Sequence, residues 1–339
     1  MATILTFAAG CDKASGGALP LLSGRSASAG ADAEPPASAQ LDISSHPDVL
    51  FEVFGARDDA RMIPVAVLGG GAAGAAGDSA SAIGLRTIVL SSAKWRVFDA
   101  YYHRVGAKVT AYRDGHPAGQ IDVQRGMWAA DAPLYSLPGC RRLTPLASVT
   151  PPSDTTGDYT VDYLASTSST LGASSRAAAV APMERADAAR IGRRVGEAVA
   201  KEHFIAKEVL ESLDFRAFAV PTGTSKQATV VASYLAPPSL HSESDKSDAQ
   251  VSHVFALADA RPDGYAVTYR HAVNGPAADA EYRRYLDHLD LDGDGVDEIV
   301  LQGWRRAGDT FLEVLAFRGG QWTPVYRGRE SWCLDEKGR

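Results

Sequence analysis

Acidic side chains stand at the first, third, fifth and ninth positions of Asp290-Leu291-Asp292-Gly293-Asp294-Gly295-Val296-Asp297-Glu298. Calcium takes about six to eight hard oxygen ligands, and alternate side chains around a tight turn can supply them. Gly295, at the sixth position, allows the backbone conformation such a turn needs. The main-chain carbonyl of Val296, at the seventh, adds one more oxygen. An EF-hand would place a bidentate Glu at the twelfth position and run on into a helix. Here that position is Leu301, and Ile299-Val300-Leu301 reads as a strand. The chemistry expected of this stretch is therefore calcium ligation in a turn that feeds a β-strand.

That arrangement resembles the calcium loops of integrin-like propeller blades and the related FG-GAP and VCBS repeats, in which D-x-D-G-D-G-x-x-D/E leads directly into a strand. The likeness covers about one blade-sized unit, residues 286–326, with the Gly319-Gly320 turn and Trp322 in keeping with it. It implies ligation of Ca2+ by Asp290, Asp292, Asp294 and Glu298, with a structural role for the ion. The loop occurs once in the sequence, so a full propeller is not expected, because propellers repeat the blade.

Other chemistry-bearing motifs are weaker. Gly69-Gly70-Gly71-Ala72-Ala73-Gly74 fits G-x-G-x-x-G and follows the strand-like Val65-Ala66-Val67-Leu68. A dinucleotide site needs a helix opening on those glycines and an acidic residue about twenty positions later. The sequence offers a poor helix with Gly77 inside it, and Ser91-Ser92 where the acid should stand, so residues 69–77 are expected to be a loop between two strands that binds no nucleotide. Ser91-Ser92-Ala93-Lys94 matches S-x-x-K without its companion motifs. The eight histidines show no metal-ligand spacing. No catalytic residue is assigned, and a non-enzymatic role is the expectation. The competing readings are a hydrolase with a site in the cleft between two β domains, and a flavoprotein.

What must position the calcium loop is a mainly antiparallel α+β chain. Residues 48–150 read as an N-terminal β domain, in which Asp114-Gly115 joins two alternating runs as a hairpin signal. Residues 151–182 form a Ser/Thr-rich connector. Over 183–213, Ile191, Val195, Ala198, Val199, Ile205, Val209 and Leu213 recur at spacings of three and four, which predicts one long amphipathic helix. Residues 214–332 read as a C-terminal β-meander of up to seven strands, and 333–339 as a tail.

Ahead of these elements, Leu5-Thr6-Phe7-Ala8-Ala9-Gly10-Cys11 resembles the lipobox of bacterial lipoproteins, with residues 1–11 read as a truncated signal. The likeness implies lipidation of Cys11 and a lipid-anchored place in the cell envelope, periplasmic or at the outer surface. Residues 12–47 are mostly Ala, Ser, Gly and Pro, and bury too little to offset ordering entropy, so they read as a flexible tether. With Cys11 acylated, Cys140 and Cys333 remain as an even pair, and an exported compartment permits a disulfide between them. Lys and Arg number 34 against 41 Asp and Glu, a net charge of -7 with no basic block. Nucleic acid is thus an unexpected partner. Contact with the membrane is expected through the lipid anchor only, and the expected partner is an envelope protein or glycan.

Overall fold

The computed structural model describes residues 43–69, 83–88, 90–132, 134–135, 144–152, 160–236, 249–305 and 310–328. Cys11, Cys140 and Cys333, most of the 12–47 tether and most of the 69–77 loop lie outside them. The first half contributes β1 (Val49–Ala56), β2 (Asp59–Leu68), β3 (Leu85–Thr87), helix α1 (Ser92–Tyr102), β4 (Lys108–Arg113), β5 (His116–Arg125), the short β6 (Leu134–Tyr135) and β7 (Thr144–Pro145), β8 (Ala147–Thr150) and β9 (Thr160–Ser166). The sheet runs β1-β9-β4-β5-β8-β2-β3, and β1 also pairs with β2, so the first six strands in that order close into an antiparallel barrel. Inward-facing Phe51, Met62, Ile121 and Tyr163 fill it, and α1 adds Trp95, Phe98 and Tyr102 to the same core. The expected Asp-Gly hairpin joins β4 and β5, with Asp114 at φ +49° and Gly115 at φ +76°, the left-handed pair that matches the twist of its strands.

The second half contributes α2 (Arg185–Glu202), α3 (Lys207–Ser212), β10 (Asp214–Val220), β11 (Thr229–Leu235), β12 (Gln250–Arg261), β13 (Gly264–Pro276), β14 (Glu281–Leu289), β15 (Glu298–Arg305), β16 (Thr310–Arg318) and β17 (Gln321–Arg327). These strands form two four-stranded antiparallel meanders, β10–β13 and β14–β17. Period-two alternation sorts their side chains into three interfaces. Val230, Ala232 and Val254 meet Ile191, Val195 and Val199 of α2. On the opposite face, Val231, Phe255 and Leu257 meet Ile299, Leu301, Leu315 and Trp322. The far side of the last sheet presents Val300, Leu312 and Val314 to Leu50, Val65, Tyr112 and Leu164 of the barrel. Barrel, sheet, sheet and helix therefore stack within one compact unit, residues 35–339, and β15 is buried on both faces.

Three expectations are corrected. The tract 151–182 is more than a connector, because β9 lies within it and pairs with β1 on one side and β4 on the other. The helix over 183–213 is two helices: α2 ends at Glu202, Phe204 takes a left-handed φ of +56°, and the chain restarts as α3 in a new phase. Val209 consequently faces solvent while Leu210 is buried, and Ala198 is exposed on α2 itself, off its buried stripe. Among its described residues the C-terminal region has eight strands, because β14 joins those the alternation predicts. The strands flanking the Gly-rich segment pair antiparallel, Leu68 opposite Leu85, whereas a dinucleotide fold sets its strands parallel across a helix. Among the described residues, no helix is long and apolar enough to cross a membrane.

Candidate metal centre

The acidic loop is the connection from β14 to β15, and Glu298 is the first residue of β15. Gly293 and Gly295 sit at φ +81° and +87°, conformations that L side chains rarely adopt. These turns let side-chain oxygens cap the loop's own amides. Asp290 Oδ1 accepts from the Gly293 amide at 2.8 Å and Oδ2 from the Gly295 amide at 3.2 Å. Asp292 accepts from the Asp294 amide at 3.0 Å, and Asp294 from the Val296 amide at 2.7 Å. Carboxylate oxygens of Asp290, Asp292 and Asp294 then lie within 4.8 Å of one another. Asp290 is buried, whereas Asp292 and Asp294 are exposed and form the mouth.

Glu298 is buried behind the loop, where its Oε2 accepts from the Leu291 amide at 2.8 Å. Burial first, then the charge of Asp292, pushes its carboxyl up to about 9. Burial, with Asp294 and Asp290 adding to it, also raises Asp292. Val296 is half-buried, its side chain packed against the core shared by the two meanders. Four acids in one turn therefore have a common electrostatic problem that a cation at the turn would relieve. The three aspartate carboxylates form a hard-oxygen cluster that could hold a cation.

Residues far away in sequence complete the surroundings. Ser174 donates its hydroxyl to Asp290 Oδ2 at 2.5 Å, and Ser175 donates to Asp297 Oδ1. The Arg176 amide and Nε both donate to the Gly295 carbonyl, at 2.9 and 3.1 Å. Asp297 turns away from the other acids: its Oδ2 faces His288 Nδ1 at 3.4 Å without a hydrogen bond, and both side chains are fully buried. Burial raises the Asp297 carboxyl to about 7, against the lowering effect of the Ser175 hydroxyl. The β4–β5 turn closes over this pair. Its Gly115 amide donates to Asp287 Oδ1 at 3.3 Å, and a Cβ at Gly115 would fall 2.6 Å from the His288 ring. Ser175, Asp297 and His288 do not make a nucleophile relay, because the hydroxyl sits on the carboxylate rather than on the imidazole that would take its proton.

The sequence thus placed Asp290, Asp292, Asp294, Val296 and Glu298 in one loop, and the structure gathers the three aspartates with Glu298 behind them. Ser174, Ser175 and Arg176 carry no sequence signal of their own, since they lie in a Ser/Thr-rich tract more than a hundred residues earlier. Comparison with models of protein families, with curated proteins and with solved structures finds no match.

Proposed function

We propose that the chain is a calcium-stabilised binding or structural module of the cell envelope, tethered through a lipidated Cys11 and engaging an envelope protein or glycan. The observation that carries the calcium part is the convergence of the Asp290, Asp292 and Asp294 carboxylates within 4.8 Å. Glu298 and the Val296 carbonyl would complete the ligand set. The ion's role would be structural: it offsets the repulsion among the acids and fixes the turn that starts β15. The anchor and the location rest on the lipobox-like run that ends in Cys11 and on the small-residue tract after it.

Melting curves of the wild type and Asp292→Ala, each in EGTA and in 1 mM calcium, test the metal. With a dissociation constant on the order of 0.1 mM, millimolar calcium adds about 1.4 kcal/mol. That amounts to a rise of about 2 °C for a chain of this size. Asp292→Ala should lose the calcium-dependent rise and keep its melt in EGTA. A wild type with equal melting temperatures in the two buffers would show the turn to be simply solvated. For the anchor, incorporation of a labelled fatty acid should disappear in Cys11→Ser.

A further inference from the structure

A cleft of about 460 Å³ opens on the seam between the barrel and the β14–β17 sheet. Its polar wall comes from both sides: Glu52 on β1 and Asp162 on β9, Arg284 on β14 and Gln302 on β15. Glu52 lies opposite Leu164 in the β1–β9 ladder, two residues from Asp162, so the two carboxylates project from the same face of adjacent strands. Asp162 Oδ2 accepts from Arg284 Nη2 at 2.5 Å. Arg284 Nε donates to Gln302 Oε1 at 2.6 Å, and Gln302 Nε2 donates to Glu52 Oε1 at 2.8 Å.

The charges along this row do not balance. Its one guanidinium is bonded to Asp162, and the hydrogen-bond partner of Glu52 is a neutral amide. Glu52 is only 6% exposed, and its hydrogen bond engages Oε1 alone. Asp162 Oδ1 is likewise buried and has no hydrogen-bond partner among the described residues. Two carboxylates thus face one cleft with acceptor capacity to spare, and Phe54 and Ile63 supply apolar wall beside them. Buried acceptors normally have donors, and a buried carboxylate favours a cationic one. An anion would meet two acids. A neutral polyol would fill the acceptors and leave the charge uncompensated.

We propose that this cleft binds an organic cation, an ammonium or guanidinium group on an apolar body, with the N–H donors between Glu52 and Asp162 and the body against Phe54 and Ile63. An aromatic wall adds to the attraction for such a group. The site lies outside the acidic loop and does not depend on the calcium assignment.

Calorimetric titration of the full chain with benzylamine at pH 8, where Glu52 is ionised and the amine is still protonated, provides the test, with benzyl alcohol and glucose as neutral probes and with Glu52→Gln and Asp162→Asn as variants. Saturable binding of benzylamine is expected, weakened about tenfold or more in each variant, as removal of a charge-assisted partner does. Glu52→Gln keeps an oxygen for the Gln302 amide, and a cooperative melt of each variant separates lost binding from lost fold. Three outcomes overturn the proposal: no binding of benzylamine, equal affinity in wild type and in a folded variant, or neutral probes binding as tightly as the amine.

Discussion

His253 is held neutral from two sides. Its Nδ1–H donates to the Tyr234 carbonyl at 2.9 Å, while Nε2 accepts from the Arg283 amide at 3.1 Å. Burial above all, with the nearby His271 and Arg283 charges, drives its pKa down to about 3. An unfolded chain takes up that proton near 6.5, so between 6.5 and 3 unfolding binds a proton and stability falls as the pH falls. The slope is about 1.4 kcal/mol per pH unit, and the effect is absent above 6.5. Urea unfolding at pH 7 and at pH 4.5 should show this loss in the wild type and a shallower one in His253→Gln; equal slopes would mean the imidazole does not drive it. Glu52 works with the opposite sign. Burial and then Asp162 raise its carboxyl from 4.5 to about 7, against the lowering effects of Arg284 and Gln302. Between those values the folded chain holds the extra proton, so stability falls as the pH rises and the full cost is present above 7. Glu52→Gln should therefore stabilise the ligand-free protein at pH 8, by up to about 3 kcal/mol, and change little at pH 4. A variant no more stable than wild type at pH 8 would show Glu52 to be ionised without penalty.

At the scale of elements, α2 shows what its pattern discloses and what it hides. The stripe Ile191, Val195 and Val199 is legible from spacing and does face the β10–β13 sheet. Gly192 and Gly196 on the same stripe look like poor helix residues, yet they set how closely the helix approaches. A Cβ at Gly192 would lie 2.6 Å from Ala217 Cβ, and one at Gly196 2.3 Å from the Tyr234 ring. Alanine would gain about 1 kcal/mol of helix propensity, but overpacking a tight interface costs about 1 to 3. Gly196→Ala should thus lower the denaturation midpoint on balance, and a raised midpoint would show that the helix can lift away at no cost. The end of α2 was illegible because residues 203–206 include neither glycine nor proline; the turn is made by Phe204 in a left-handed conformation, with its side chain 90% exposed. Strand β14 was hidden for another reason. Its buried positions include Arg283, Asp287 and His288, so polar types stand where alternation looks for apolar ones. Arg283 is paired there with Glu313 at 3.0 Å and Glu281 at 2.8 Å.

At the scale of the molecule, the acidic loop joins parts that no local reading connects. The Gly172 amide donates to the Asp290 carbonyl at 3.2 Å, the Arg176 amide to the Gly295 carbonyl at 2.9 Å, and the Asp297 amide to the Thr222 carbonyl at 2.9 Å. On the barrel side, the Gly115 amide reaches Asp287 beside the His288–Asp297 pair. The loop's own chemistry was readable because its ligands lie within nine residues; its partners were not, because register and stacking bring them together across 75 to 172 positions. If a cation fixes the loop, its removal should loosen these distant contacts as well as the loop itself, since opening is shared by groups that are bonded together. Amide hydrogen exchange in EGTA and in millimolar calcium measures this. Protection of the Arg176 and Gly115 amides should drop by up to about tenfold without calcium, following the 1.4 kcal/mol expected of the ion. In Gly115→Ala, the new Cβ meets the His288 ring at 2.6 Å from a backbone at φ +76°, so the turn should lift off and the calcium response of the Gly115-side amides should vanish, while that of Arg176 persists. Unchanged protection at Arg176 on calcium removal, with the loop amides alone responding, would confine the ion's effect to its own turn and break the link to the barrel.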